Sequence, residues 1–405
     1  MQKSLFTALA VALLAGITGI AHAQDDAPWK NLIGDSLDGW KQLGGTAKYA
    51  LEDKVIVGTS VPSTGNSFLT TEKYYSDFLL EYEFKVDEDL NSGVQIRSNS
   101  FPDYRKGQVH GYQVEIDPDT KRNRMWTAGI YDEGRRGWLN DLKDNDTARE
   151  AFKPGQWNKI KVEAIGDRIR TWLNDVPAAD LVDSMTQTGF IGLQVHGIGK
   201  DEEKIGKQVR WQNIRIVDLG KHAWKPLFDG KSLAGWTPTP GGKWEVVDGV
   251  IKGTSPASER RHGILLSDDT FGDFTIRLQF KVTSGNSGFY FRAEPGKGGV
   301  GVHGFQAEVD TTTETGGIYE TGGRGWVAQS TYGKNEKQKV YKPGEWTEMT
   351  VSAHGSRYAV HVNGTKTIAL PDDKKGRTSG RLGLQLHGGQ DMDVEFREIE
   401  ILAKE

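Results

Sequence analysis

"HGYQVEID", residues 110–117, sets Gln113, Glu115 and Asp117 on alternate positions, with Tyr112, Val114 and Ile116 between them. Side chains on a β-strand point to opposite faces with period two, so the apolar set faces a core and the amide and two carboxylates share the other face. Residues 303–310, "HGFQAEVD", repeat the pattern with Gln306, Glu308 and Asp310. An acidic row on one strand is commonly a solvated face. Its recurrence in the same chain points to a shared role.

The recurrence extends along the chain. "NLIGDSLDGW" (31–40) matches "PLFDGKSLAGW" (226–236), and "NSGVQIRS" (91–98) matches "NSGFYFRA" (286–293). "GIYDEGRRGW" (129–138) matches "GIYETGGRGW" (317–326), "KPGQW" (153–157) matches "KPGEW" (342–346), and "GLQVHG" (192–197) matches "GLQLHG" (383–388). A repeat of this length is a whole domain rather than a solenoid unit. Two homologous domains are therefore expected, at 24–218 and 224–405.

Stretches such as "FLLEYEFKV" (78–86), "FTIRLQFKV" (274–282) and "WNKIKVEAI" (157–165) alternate apolar with polar residues. Asn-Gly, Asn-Asp and Asp-Gly pairs punctuate them as hairpin turns require. Only "DNDTAREAF" (144–152) reads as a short helix. The pattern predicts an all-β chain of two tandem jelly-roll sandwiches, each with a concave polar face. The Trp residues of "KPGQW" and "KPGEW" are expected to pack inside turns.

The 405 residues carry a net charge of −4 and no cysteine. Residues 1–23 combine Lys3, an apolar run from Leu5 to Ile20 and an Ala21-His22-Ala23 site, the form of a cleavable secretory signal. A periplasmic or secreted chain is expected, without disulfides. Basic residues are scattered among acids, which argues against a nucleic-acid partner. No later apolar run has the ~20 residues needed to insert in a membrane.

Period two extends the polar face to other strands. Gln95 and Arg97 are expected outward in the first copy, and Tyr290 and Arg292 in the second. Gln194 and His196 have Gln385 and His387 as counterparts. Tyr131, Asp132, Arg136 and Trp138 are matched by Tyr319, Glu320, Arg324 and Trp326. If these strands share a sheet, each domain presents an Arg, a Gln-Glu-Asp row, a Gln-His pair and an aromatic flank on one patch.

The "NSG…R" strand, the "HG-[FY]-Q-x-E-[IV]-D" strand, "GLQ-x-HG" and the two openings resemble the 3-keto-disaccharide hydrolase domain family, over nearly the whole chain after residue 23. The resemblance implies a concanavalin-like, laminarinase-related jelly roll acting on oxidised glycosides. The laminarinase-type strand pattern is E-x-D-x-E, whereas Gln113 and Gln306 stand at the first acid position here. An amide is no ordinary nucleophile, so double displacement by two carboxylates is disfavoured.

A 3-keto sugar permits another route. The ketone acidifies the C2 proton, and its removal gives an enolate that expels the C1 substituent before water adds. That chemistry needs a base, an oxyanion partner and an acid. Among several permutations, Glu115 or Glu308 serves as base, Arg97 or Arg292 as oxyanion partner and His196 or His387 as acid, with Asp117 and Asp310 beside them. Gln113, Gln194, Tyr131 and Trp138, and Gln306, Gln385, Tyr290, Tyr319 and Trp326, would hold the small carbohydrate. No HExxH or EF-hand signature appears, so no cofactor is assigned; a divalent cation in place of the Arg stays open. A non-catalytic, lectin-like tandem module is the alternative.

Overall fold

The computed structural model describes residues 29–119, 124–311, 313–330 and 342–404. The signal-peptide expectation for residues 1–23 lies outside them. The described residues are nearly all strand and turn and form four sheets, two per domain. The one α-helix described, Asp146–Glu150, sits where expected and is capped by Asn145, whose side chain accepts from the Ala148 amide.

The first domain stacks an eight-stranded sheet on a seven-stranded one. In order across the smaller sheet, its strands are Gly137–Asn140, Ile130–Glu133, His110–Ile116, Ser92–Asn99, Phe190–Val195, Ser67–Thr71 and Trp40–Gly44. The second domain repeats that order with Gly325–Ala328, Ile318–Thr321, Val302–Val309, Ser287–Pro295, Gly380–Leu386, Gly263–Phe271 and Trp236–Pro238. The first sandwich ends in the strand Gln208–Gly220, and the second begins with His222–Pro226.

Period-two alternation builds each core. In the first domain Val94, Ile96, Tyr112, Val114, Ile116, Leu193 and Val195 are buried between the sheets. In the second, Phe289, Phe291, Phe305, Ala307 and Leu384 of one sheet meet Ile276, Phe280, Met349, Val351 and Phe396 of the other. Phe291 stacks on Phe305 with ring centroids 5.3 Å apart. Each large apolar side chain removed from water in this way contributes about 1.5–3 kcal/mol.

Two expectations need correction. Both K-P-G-x-W segments form turns, but Trp157 is 36% exposed. Trp346 is half-buried under Arg397, whose guanidinium lies 4.0 Å from the indole centroid. Trp157 thus meets solvent, and Trp346 lies between Arg397 and Lys281 rather than in a core.

The second correction concerns arginine. Arg97 and Arg292 do not join the polar face; both are fully buried. Their backbones adopt φ of +47° and +48°, and the ladder with the neighbouring strand shifts register there, between Ile96 and Asn99 and between Phe291 and Glu294. A β-bulge breaks the alternation and turns the side chain inward. Arg97 then donates to the Ser76 carbonyl at 2.7 Å and to Asp77 at 3.2 Å, where the opposite sheet begins. Arg292 donates to the carbonyls of Gly355 and Arg377 at 2.6 and 2.7 Å and to Asp273 at 3.2 Å. These guanidiniums tie one sheet to the other.

Candidate functional site

In the first domain the polar faces of neighbouring strands meet on the seven-stranded sheet. Gln113 lies opposite Gln95, and Glu115 opposite Gly93. Ser98 donates to the Gln95 side-chain oxygen at 2.6 Å, the Gln95 amide donates to Gln113 Oε1, and Gln113 Nε2 donates to Glu115 Oε1 at 2.5 Å. Asn91 Nδ2 approaches the other Glu115 oxygen at 3.3 Å. The relay needs a glycine at 93, because a Cβ there would meet the Gln113 side chain at 2.6 Å.

The floor is polar yet almost removed from water. Gln95, Gln113, Glu115, Asp117 and Gln194 are all buried. Desolvation raises the Glu115 pKa to about 8, against the pull of the Gln113 and Asn91 hydrogen bonds and with a push from Asp117. At neutral pH this carboxyl keeps its proton. Above it opens a cavity of about 840 Å³ that Gln113, Glu115, Asp117, Tyr131, Trp138 and His196 help to line. Tyr131 and Trp138 form an edge-to-face wall with centroids 5.4 Å apart.

The second domain repeats the plan. Gln306 Nε2 donates to Glu308 Oε2 at 2.7 Å, and Asn286 Nδ2 donates to Glu308 Oε1 at 2.6 Å. A Cβ at Gly288 would meet the Gln306 side chain at 2.4 Å. Desolvation lifts Glu308 to about 7. The cavity here is about 480 Å³, with Tyr290, Gln306, Glu308, Tyr319, Trp326, Gln385 and His387 among its lining. Tyr319 and Trp326 stand edge to face at 5.5 Å.

The histidines carry information in their tautomers. Nδ1 of His196 lies 2.8 Å from the Gly197 carbonyl, and Nδ1 of His387 lies 2.8 Å from that of Gly388. A carbonyl can only accept, so at His196 Nδ1 carries the hydrogen and Nε2 keeps a lone pair in the neutral ring; Nδ1 of His387 also lies 3.2 Å from Gln390 Nε2. His196 is exposed at the cavity rim, yet the walls desolvate the ring enough to lower its pKa. In the first cavity, then, Glu115 holds a proton at neutral pH and His196 offers a lone pair at Nε2.

Most of the anticipated residues come together, with exceptions. Arg97 and Arg292 point into the sandwich interiors, as described. Gln194 lies beneath the floor, 3.4 Å from Gln113. Asp310, a counterpart of Asp117, is buried and accepts from Thr315 Oγ1 at 3.0 Å, outside the lining of its cavity. Asp132 also departs from the patch. It is buried on the face opposite Tyr131 and accepts from Arg135 at 2.7 Å and Arg136 at 2.5 Å, closing the hairpin.

Several lining residues were not foreseen. Glu133, two positions after Tyr131 and thus on its face, is pushed up by desolvation and accepts from Asn66 Nδ2 at 3.2 Å. Extending the Tyr131 alternation by one step finds it. Arg124, Lys204 and Lys207 reach the first cavity from segments that are longer than their second-domain equivalents. His262 enters the second cavity, 4.2 Å from His387 centroid to centroid, and desolvation with its neighbour depresses its pKa to about 4. Among the described residues no group of three or more His, Cys, Asp or Glu side chains is arranged to hold a metal ion. No helix there is long and apolar enough to cross a membrane.

Comparison with known proteins adds a family. The profile of the 3-keto-alpha-glucoside-1,2-lyase-like domain matches residues 28–217 and again 223–402. No curated protein matches the sequence. Among solved structures, a Parabacteroides distasonis protein provisionally assigned as a glycosyl hydrolase is 22% identical, with 45% of this chain and 94% of that one covered at a TM-score of 0.34. The carbohydrate-binding module CBM66 of Bacillus subtilis is 21% identical over 46% of this chain and 98% of that one, TM-score 0.33. The kappa-carrageenase of Pseudoalteromonas carrageenovora is 11% identical over 45% and 96%, TM-score 0.34. At such scores nothing about function passes from these structures to this chain.

Proposed function

The chain belongs to the 3-keto-alpha-glucoside-1,2-lyase-like domain family, and on that premise we propose that each domain cleaves 3-keto-glycosides by C2 proton abstraction and elimination, followed by hydration. The observation that carries the reading is the matched protonation of two groups in one cavity. Glu115, near pKa 8, enters the reaction as the acid, and the neutral imidazole of His196 as the base. A general acid and base are most effective when each holds its working form at the operating pH. Glu308 and His387 take the same parts in the second domain.

In this reading His196 Nε2 removes the C2 proton, the C–H electron pair forms the C2=C3 bond, and the C3 carbonyl becomes an enolate. When the carbonyl re-forms, the C1=C2 bond forms and the C1–O bond breaks. The leaving oxygen takes the proton of Glu115. Gln113 and Asn91 hold that carboxyl in place, and Tyr131 and Trp138 offer an apolar flank to the sugar ring. The leader-like residues 1–23 support export, so we place this chemistry outside the cytoplasm.

Incubation with a 3-keto-glucoside and its unoxidised parent tests the reading. Release of the leaving group from the keto sugar alone is expected, with C2 deuterium incorporated from heavy water. Cleavage of both at equal rates overturns the elimination route. Binding of both with cleavage of neither makes the chain a tandem lectin-like module instead.

A further inference from the structure

An enolate needs a partner for its oxygen, and the two arginines that looked suited to the task are spent inside the sandwiches. The first domain has another. In both domains the same contact follows the strand carrying the Glu, from the amide of Asp117 to Thr127 Oγ1 and from that of Asp310 to Thr315 Oγ1. The sequence separation is 10 residues in the first case and 5 in the second. Arg124 falls within the longer interval and lines the first cavity.

Arg124 is held there from two sides. Its Nε and Nη2 donate to Asp117 Oδ2 at 2.9 and 2.6 Å, which fixes the guanidinium plane and uses two of its five N–H groups. The guanidinium also lies 5.0 Å from the Trp126 ring and 5.6 Å from Trp138. It lines the cavity that contains Glu115 and His196. Asp117, buried beside the Glu, thereby gains a purpose that its counterpart Asp310 lacks.

No Arg or Lys occurs among the described residues lining the second cavity. Tyr290 stands there at the position of Gln95, opposite Gln306 as Gln95 is opposite Gln113. Its hydroxyl lies 2.9 Å from Thr321 Oγ1 and accepts from Gln385 Nε2 at 3.2 Å. Burial raises its pKa, so the phenol stays protonated. Thr321 occupies the position of Glu133, and the exchange of a long acid for a short hydroxyl leaves room for the larger ring.

We propose that the enolate oxygen is held by the Arg124 guanidinium in the first site and, in the second, by the hydroxyl of Tyr290, whose side chain is buried and borders the cavity, so that duplicated floors work with different oxyanion donors. The proposal rests on the elimination reading above. As the base takes the C2 proton, the carbonyl electrons move onto O3, which accepts hydrogen bonds from Arg124 or from Tyr290. They return when the C1–O bond breaks. Nothing is oxidised or reduced, and no co-reactant is required.

The test reads enolisation directly, as C2 hydrogen–deuterium exchange in the full chain. With the second site silenced by His387→Gln, Arg124→Gln should slow exchange about 10²–10³-fold, the usual cost of one oxyanion donor. With the first site silenced by His196→Gln, Tyr290→Phe should slow it while Arg124→Gln changes nothing. Because Arg124→Gln strands the buried Asp117, the pair Arg124→Gln/Asp117→Asn serves as a control. It should exchange as slowly with an unfolding transition like that of the parent. Exchange at the parental rate in either Arg124 variant, with the second site silenced, overturns the assignment. A wild-type chain that neither exchanges nor cleaves removes the elimination reading itself, and this donor assignment with it.

Discussion

The two domains share a floor and differ at the rim. The Gln113–Glu115 and Gln306–Glu308 hydrogen bonds, the Asn91 and Asn286 donors, the Tyr–Trp walls and the inward arginines recur pair by pair. Around them, a cavity of about 840 Å³ with Arg124, Lys204 and Lys207 in its lining contrasts with one of about 480 Å³ bearing His262 and Tyr290. A floor locked by relayed hydrogen bonds and by glycines without room for a Cβ tolerates little change. A rim built from turns tolerates insertions, so the duplicates are free to diverge in what they bind while keeping how they move protons.

The buried arginines give the sharpest way to break this comparison. In the first domain both Arg97 and its partner Asp77 have side chains fully removed from water, whereas Asp273 beside Arg292 is 62% exposed. Arg97→Met therefore strands a buried charge and should cost about 3–5 kcal/mol, with part of the loss recovered by Asp77→Asn. Arg292→Met removes the donor to the Gly355 carbonyl, at about 1–3 kcal/mol if that carbonyl is kept from water, while the Arg377 carbonyl keeps Tyr358 Oη at 3.2 Å; Asp273→Asn should recover nothing. Denaturant unfolding of the full chain checks both. Equal rescue in the two domains would mean that the ion pairs are equivalent.

A smaller effect separates the sites by pH. A general acid must hold its proton, so activity falls as pH rises through its pKa. Glu115 near 8 and Glu308 near 7 put the alkaline limb of the first site about one unit above that of the second. Rate profiles of His387→Gln and His196→Gln read the two limbs separately. Coincident limbs would mean that the deeper burial of Glu115 has no functional consequence.

Much of this was legible before any coordinates. Alternation in "HGYQVEID" and "HGFQAEVD" places Gln113, Glu115, Gln306 and Glu308 on one face, and the duplication ties them to His196 and His387. Alternation fails at Arg97 and Arg292, because it has no term for a residue at positive φ that turns a strand over. The oxyanion candidates were hidden for different reasons. Arg124 lies outside any alternating stretch of the sequence, and only the unequal lengths between Asp117 and Thr127 and between Asp310 and Thr315 betray it. Tyr290 was placed on the right face, but its part depends on Thr321 being short. The proposed roles exchange acid for base because burial depth and tautomer are properties of the folded site: Glu115 reads as a surface carboxylate in the sequence and is buried in the structure.

The most direct test of that reversal is the Glu115→Gln/Glu308→Gln double variant, assayed for cleavage of 3-keto-glucosides with a sugar and with a nitrophenolate leaving group. If the carboxyls are acids, cleavage of the sugar substrate falls about 10²–10⁴-fold. The nitrophenyl substrate, whose leaving group needs no proton, is cleaved close to the wild-type rate, and C2 exchange persists. Wild-type cleavage of the sugar substrate, or loss of C2 exchange together with cleavage of both substrates, would contradict the account.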